Sequence, residues 1–322
     1  MQYTAALSIA AFASGMACAQ QPYPTKPIRL IVPYPPGGST DYTAREIAPR
    51  LSAMLGQQIV VDNRGGAGSL IGHSLAATAV PDGYTIVLGT STGLAIVPAL
   101  GIKLAYDPQK DFAPIGLLVY APYLLVVPAA LPPASMKEFI DYAKKQPGKL
   151  NYASSGTNTP NHLGGELLDI LAGVRTVHVP YKGGGPALTD LLGGQVQFMF
   201  SAVPQVQPHV KSGRLRTLAV GHPTRTRAAP DVPAVAETLP GFNNTTWYGL
   251  LAPARTPRDI ILRINDELNK LLAQTEFTQR MLFQGVDAAT STPEGLGEII
   301  RSETERWRAV IKKAGIVGEA IR

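Results

Sequence analysis

The chain has 322 residues, of which 45% are hydrophobic and only 16% charged, a composition typical of a globular protein rather than a disordered one. This length exceeds what one minimal core needs and accommodates two compact α/β lobes. The net charge is +6, but the basic stretch Lys211–Arg216 is interrupted by uncharged residues and has no interleaved aromatic residues. We therefore expect no nucleic-acid partner.

The amino terminus has the pattern of an export signal. It lacks charged side chains up to Ala19, and its apolar stretch ends in Ala17-Cys18-Ala19. Small residues at the first and third of these positions predict cleavage after Ala19, with residues 1–19 as signal peptide and a periplasmic mature protein. Lipidation of Cys18 is the alternative. Cleavage after Ala19 leaves a mature chain without cysteine, which excludes disulfides and thiol chemistry.

Short apolar runs alternate with helical patterns from Ile28 onward. Ile28–Val32 has the pattern of a buried strand, and apolar residues then recur at helical spacing behind a cap at Ser39 and Thr40. The further strand-like runs are Ile59–Val61, Tyr84–Leu88, Leu124–Val127, Leu150–Ala153, Val177–Val179, Val196–Phe200 and Leu215–Val220. This alternation predicts parallel sheets covered by helices on both sides. Two further helices are predicted to begin at Thr256-Pro257 and Thr292-Pro293.

Four loops rich in Gly, Ser and Thr follow predicted strands. They are Pro33–Asp41, Gly89–Gly93, Ser154–Asn161 and Pro180–Pro186. In open parallel sheets, ligands bind where strands end and helices begin, because helix starts offer unpaired N–H groups and a favourable dipole. Gly37 and Gly38 allow close approach of the backbone, and Lys182 is the only nearby cation. The pattern predicts recognition of an anion by amides and hydroxyls.

An enzyme is the alternative function. The loop Gly89–Gly93 spells G-x-S-x-G, the nucleophile elbow of α/β-hydrolases, with Ser91 in the nucleophile position of an esterase. That reading requires a histidine late in the chain, and the last histidine is His222. A dinucleotide fingerprint fails because Ile71 replaces its third glycine, and the histidines lack metal-ligand spacing. We expect no cofactor, no metal and no catalysis.

An ordered series of motifs resembles the Bug family, the periplasmic receptors of tripartite tricarboxylate transporters. The matching pieces are Tyr23-Pro24, Pro27-Ile28, Pro33-Tyr34-x-x-Gly37-Gly38-x-x-Asp41, Val61-Asp62-Asn63-Arg64-Gly65-x-Ala67-Gly68, Pro81-Asp82-Gly83-Tyr84-Thr85, Tyr152-x-Ser154-x-Gly156, Val179-Pro180-Tyr181-Lys182-Gly183-Gly184, Asp190-Leu191-Leu192-Gly193-Gly194-Gln195-Val196 and Trp247-Tyr248-Gly249. Single pieces are generic, whereas the set in this order covers nearly the whole mature chain.

The resemblance implies a two-lobed periplasmic binding protein fold, type II-like, in which each lobe is a mostly parallel sheet flanked by helices. It places 23–122 plus 247–322 in a discontinuous first lobe and 123–246 in the second. Crossovers are expected at Ala121–Tyr123 and Asn243–Gly249. The implied function is a receptor that closes its lobes around a small carboxylate, as a monomer, and delivers it to membrane transporter subunits.

The ligand-binding residues carried over from the family are Gly37, Gly38, Ser39, Ser155, Gly156, Tyr181 and Gly183. The loops themselves add Ser91, Thr92, Thr157 and Gly184 as candidates. Asp41 is expected to fix its loop rather than to meet an anion. Ser201 is a further candidate ligand-binding residue; many relatives carry an acidic residue at this position, and its replacement by Ser disfavours an amino-acid ligand. A dicarboxylate, a tricarboxylate and an aromatic acid all remain open.

Overall fold

The structure is a computed structural model that describes residues 23–316. The predicted signal peptide and Cys18 therefore lie outside the described residues. Among residues 23–316, no helix has both the length and the apolar character needed to cross a membrane.

Within residues 23–316, ten strands form two sheets that share one long strand. They are β1 Ile28–Val32, β2 Ile59–Asn63, β3 Thr85–Thr90, β4 Phe112–Pro128, β5 Asn151–Ser154, β6 Val177–Pro180, β7 Phe198–Ala202, β8 Leu215–Val220, β9 Thr245–Pro253 and β10 Asp287–Ala288. The order is β2-β1-β3-β9-β4-β7-β5-β6, with β8 and β10 also paired to β4. Each sheet is the centre of one lobe.

Helices cover both faces of the two sheets. They are α1 Ser39–Leu55, α2 Leu70–Ala77, α3 Val97–Ala99, α4 Met136–Lys144, α5 Pro160–Ala172, α6 Gly184–Leu192, α7 Val203–Lys211, α8 Arg258–Leu272, α9 Thr275–Phe283 and α10 Pro293–Ala314. A π-helical turn, Thr92–Ile96, leads into α3. The expected α/β class is thereby confirmed.

Strand alternation explains why each sheet needs helices on both faces. In β1, Leu30 packs into one buried cluster and Ile31 into the cluster on the opposite face. In β4, Leu125 and Val126 divide in the same way between the two cores of the second lobe. Since successive side chains of a strand point to opposite faces, continuous apolar runs require cover on both sides.

The pairing is mixed rather than mostly parallel. The outer pairs β1–β2, β1–β3, β5–β6 and β5–β7 are parallel, as the sequence predicts. The central pairs β3–β9, β4–β9, β4–β7 and β4–β8 are antiparallel. The physical reason is that β4 and β9 are the chain segments that connect the lobes, and they run side by side in opposite directions.

The connection between the lobes is strand rather than loop. Pro122 pairs with Thr245 of β9, whereas the next residue, Tyr123, pairs with Ala202 of β7 in the other sheet. Both expected crossovers therefore lie largely within β4 and β9. The helix α10 also bridges the lobes, because Trp307 packs in one cluster with Leu163 of α5. The lobe boundaries expected from the sequence stay a prediction.

Candidate functional site

The loop after β1 delivers the start of α1 to the cleft between the lobes. Gly37 has φ +92°, a left-handed conformation that favours glycine, and Gly38 is the extended residue before the helix. No side chain caps the start of α1. Its first N–H groups therefore lack intrahelical partners and point toward the cleft, where they can bind an anion.

Asp41 fixes this loop from behind, as expected. Its carboxylate accepts hydrogen bonds from the Gly37 backbone N–H (2.9 Å), from Arg45 Nε (3.0 Å) and from Asn63 Nδ2 (2.9 Å). Burial raises the pKa of Asp41, but these hydrogen bonds outweigh it and hold the pKa below its ordinary value. Asp41 is therefore an anion whose charge is already neutralised by its partners.

In the second lobe, the loop after β5 is held by its own polar groups. Ser154 Oγ donates to the Gly156 carbonyl (3.0 Å) and accepts from the Gly156 N–H (3.1 Å). Ser155 Oγ donates to Asn161 Oδ1 (2.6 Å), and Asn161 Nδ2 donates to the Phe200 carbonyl (2.8 Å). These contacts orient α5, whose start has no side-chain cap either.

A cavity of about 460 Å³ lies between these two helix starts. Its lining consists of Tyr34, Pro35, Pro36, Gly38, Ser39, Thr40, Gly68, Thr90, Thr92, Tyr123, Ser155, Thr159, Pro160, Thr246 and Tyr248. A second cavity of about 610 Å³ lies on the other side of the α1 start, lined by Gly37, Gly38, Ser39, Tyr42, Gly184, Gly185, Ala202, Pro204, Gln205 and Gln284. Gly38 and Ser39 thus border both spaces.

The linings of both cavities combine apolar surface with hydroxyl and backbone groups. Among the described residues, neither cavity is lined by a Lys, Arg, His, Asp or Glu side chain. Burial raises the pKa of Tyr248 to about 12 and raises that of Tyr123 far above its ordinary value, so both phenols are neutral hydrogen-bond donors. Thr90 is 1% exposed, and its buried hydroxyl has no hydrogen-bond partner within residues 23–316.

Comparison with known proteins identifies the family. The family model described as the tripartite tricarboxylate transporter family receptor matches residues 43–316. The chain belongs to this family. Protein BugT of Bordetella pertussis is 36% identical over 91% of this chain and 90% of its own. A UPF0065 protein from the tcbD–tcbE intergenic region of Pseudomonas sp. is 40% identical over 90% of this chain and 86% of its own.

Solved structures agree with this assignment. One described as a periplasmic transporter is 42% identical with a TM-score of 0.80, and the match covers 91% of this chain and 99% of that one. An R. palustris protein solved with adipate is 34% identical (TM-score 0.81; 91% and 98% covered). MatC of Rhodopseudomonas palustris, solved with malate, is 33% identical (TM-score 0.76; 90% and 100% covered). The chain is a solute-binding receptor of this transporter family and not an enzyme.

The structure brings together half of the receptor's candidate ligand residues. Gly38, Ser39, Thr92 and Ser155 line the first cavity, and Gly37 and Gly184 line the second. The candidates outside both linings are Ser91, Gly156, Thr157, Tyr181, Gly183 and Ser201.

In three of these outlying candidates, the hydroxyl group forms a hydrogen bond with another side chain of the protein. Tyr181 donates to Asp190 Oδ2 (2.6 Å), and the buried Ser201 donates to Gln205 Oε1 (3.0 Å). Ser91 is fully buried, and its Oγ is 2.5 Å from Thr246 Oγ1. No histidine of the described chain hydrogen-bonds Ser91, so the esterase geometry does not form. Also within residues 23–316, no group of His, Cys, Asp or Glu side chains could hold a metal ion.

Sequence reasoning missed the contributions of the connecting strands. Thr246 and Tyr248 of β9, Tyr123 of β4 and Thr90 of β3 all line the first cavity. The alternation Thr246-x-Tyr248 is a signal for one strand face, but nothing local indicates that this face meets a ligand. Only the position of β9 between the lobes decides that.

Proposed function

We propose that this receptor captures a small carboxylate between its two lobes in the periplasm, after export and cleavage following Ala19, and delivers it to a tripartite tricarboxylate-type membrane transporter. The observation that carries the proposal is the cavity between the starts of α1 and α5, whose lining has hydroxyl and phenol donors and, among residues 23–316, no charged side chain. Related receptors have been solved with adipate and malate.

The energetics suit a carboxylate. A helix start contributes about 0.3–1 kcal/mol to holding an anion, and up to ~2 kcal/mol when partly buried. Each hydrogen bond to a charged group contributes about 1.5–3 kcal/mol. Two helix starts with two or three such bonds approach the ~8 kcal/mol of a micromolar dissociation constant. The first contacts we propose are the backbone at Gly38 and Ser39 and the hydroxyl of Tyr248.

The presence of two cavities on either side of Gly38 favours an acid with two separated polar ends. One end would meet the starts of α1 and α5, and the other would meet α6 at Gly184 and Gly185 beside Gln205. In the part of the chain that the structure describes, no carboxylate side chain lines either cavity, which disfavours an amino-acid ligand because an ammonium group would have no anionic partner there.

We further propose that binding closes the lobes about the connecting segments Ala121–Tyr123 and Asn243–Gly249. A carboxylate that leaves water needs replacement hydrogen bonds, and the donors lie on both lobes. Closure brings the α1 start against the second-lobe loops with small changes in a few connecting residues.

A thermal-shift screen tests the proposal, with adipate, malate, citrate and benzoate as candidate ligands and glutamate as the amino-acid comparison. A ligand at about 100 times its dissociation constant stabilises the folded state by ~2.7 kcal/mol, which corresponds to a Tm increase of several degrees. Calorimetry on the hits gives the affinity, and mass spectrometry should recover the ligand unaltered. Stabilisation by none of the acids, or a preference for glutamate, contradicts the proposal.

A further inference from the structure

The second cavity, on the far side of Gly38, is bordered by the starts of three helices. Gly38 precedes α1, Gly184 begins α6 and Ala202 precedes α7, and all three residues line this cavity. Within residues 23–316, no side chain caps the start of any of these helices. Each start therefore presents N–H groups without intrahelical partners, together with the positive end of the helix dipole. A negatively charged group is favoured in this cavity, and a positively charged group is disfavoured.

The side chain of Gln205 stands among these helix starts. Gln205 is the third residue of α7 and lines the second cavity. Its amide oxygen Oε1 accepts a hydrogen bond from the buried Ser201 hydroxyl (3.0 Å). The amide nitrogen Nε2 donates to no group of residues 23–316, and it is not one of the enclosed unpaired atoms of this part of the chain. Because Gln205 is partly exposed, a ligand in the cavity can reach Nε2.

A glycine on α6 allows the Gln205 amide to lie close to the start of that helix. A Cβ on Gly184 would lie 2.6 Å from Nε2 and 2.9 Å from Oε1 of Gln205. Both distances are shorter than van der Waals contact, so a larger residue at this position would push the amide away from α6. Gly184 and Ser201 together thus leave Nε2 beside the N–H groups of α6 as an additional donor.

The neutrality of Gln205 determines what these donors can bind. An acidic side chain at this position would offset the positive ends of the three helices and would supply an acceptor for an ammonium group. Gln205 adds one more donor instead. A carboxylate in the second cavity therefore gains a charge-assisted hydrogen bond. An ammonium group there meets three helix starts of its own sign and no anionic side chain among the described lining residues.

We propose that Gln205 is a specificity-determining residue of the receptor. Through Nε2 it binds the second carboxylate of a dicarboxylic acid and thereby selects this acid over an ω-amino acid of the same chain length. This inference rests on the proposed function, because the first carboxylate is bound at the starts of α1 and α5. The two carboxylates then lie on either side of Gly38 and Ser39, which border both cavities.

Matched pairs of ligands test the role of Gln205 by calorimetry. Succinate, glutarate and adipate are compared with 4-aminobutanoate, 5-aminopentanoate and 6-aminohexanoate, respectively. The wild-type receptor should prefer the dicarboxylate in the pair that it binds best. Gln205→Ala should weaken binding of this dicarboxylate by about tenfold to about a hundredfold, through loss of one hydrogen bond to a charged group. Gln205→Glu should weaken it further by repulsion between carboxylates, and it should bind the ω-amino acid more tightly than the wild type does.

Gln207→Glu is the matched control for the added charge. Gln207 lies two residues further along α7, is also partly exposed and lines neither ligand cavity. Its substitution should leave the preference between the two members of each pair at the wild-type value. An acidic side chain in the first turn of a helix is favourable, so Gln205→Glu should keep the fold, and its Tm checks this.

The preference within a pair decides the outcome, because a merely structural defect weakens the binding of both members alike. An unchanged preference in Gln205→Glu, or an equal change in Gln207→Glu, overturns the role of Gln205. A wild-type receptor that binds none of the three dicarboxylates but binds another acid of the thermal-shift screen also overturns it, while the proposed function stands. Binding of no acid at all refutes the proposed function as well.

Discussion

Replacing Gly38 by valine tests the ligand site with little risk to the fold. Gly38 has φ −87° and ψ 173°, an extended conformation that valine adopts readily, and a Cβ added there meets no atom within 4 Å. Valine is a poorer residue than glycine before a helix, so we expect a stability loss of only about 1 kcal/mol. The added methyl groups enter the space that both cavities share.

The effect on binding should be much larger than the effect on stability. The side chain blocks the approach of a carboxylate to the start of α1, and each lost hydrogen bond to a charged group costs about 1.5–3 kcal/mol. One or two lost bonds weaken binding by a factor of about ten to about 20,000. Gly38→Ala should give a smaller loss, because it adds a single carbon. Calorimetry with the best acid of the screen measures both.

Gly297→Val is the matched control for this substitution. Gly297 lies on α10, a Cβ there meets only Pro114 Cγ at 3.7 Å, and the residue lines neither ligand cavity. We expect wild-type affinity. A folded Gly38→Val receptor with unchanged affinity would refute the reasoning and remove the loop after β1 from the ligand site.

Two further predictions concern buried polar side chains. Ser91→Ala should lower the free energy of unfolding by about 1 kcal/mol and weaken acid binding only modestly, because Ser91 acts through its hydrogen bond to Thr246. Denaturation and calorimetry measure the two effects, and a catalytic activity that this substitution abolishes would contradict the receptor assignment. Burial lowers the pKa of His73 from 6.5 to about 4. In the unfolded chain His73 is therefore protonated below pH ~6.5, whereas in the folded chain it stays neutral until the pH falls to ~4. Stability should therefore fall by about 3 kcal/mol as the pH drops through this window, and urea denaturation should show a shallower pH dependence in His73→Gln; equal slopes in both proteins would contradict it.

The sequence by itself determined much of the local structure and the composition of the loops that border the cavities. The strand Ile28–Val32 and the helix behind Ser39 form as predicted, and so do the apolar faces of α8 and α10. The spacing of the apolar residues in each segment leaves one low-energy way to bury those residues. The glycine-containing loop before α1 is also predictable from the sequence, since only a few residue types permit its backbone conformation.

Tertiary structure alone decided how the lobes join and what completes the site. Residues 243–249 have turn-forming and extended character, and the sequence does not indicate that 245–253 form the strand β9 in the centre of the first sheet. Pairing between β4 and β9 joins segments more than a hundred residues apart, and no local spacing encodes such a contact. That pairing turns Thr246 and Tyr248 toward the first cavity and Thr245 and Trp247 toward the opposite face of β9, because alternate side chains of a strand must face opposite ways.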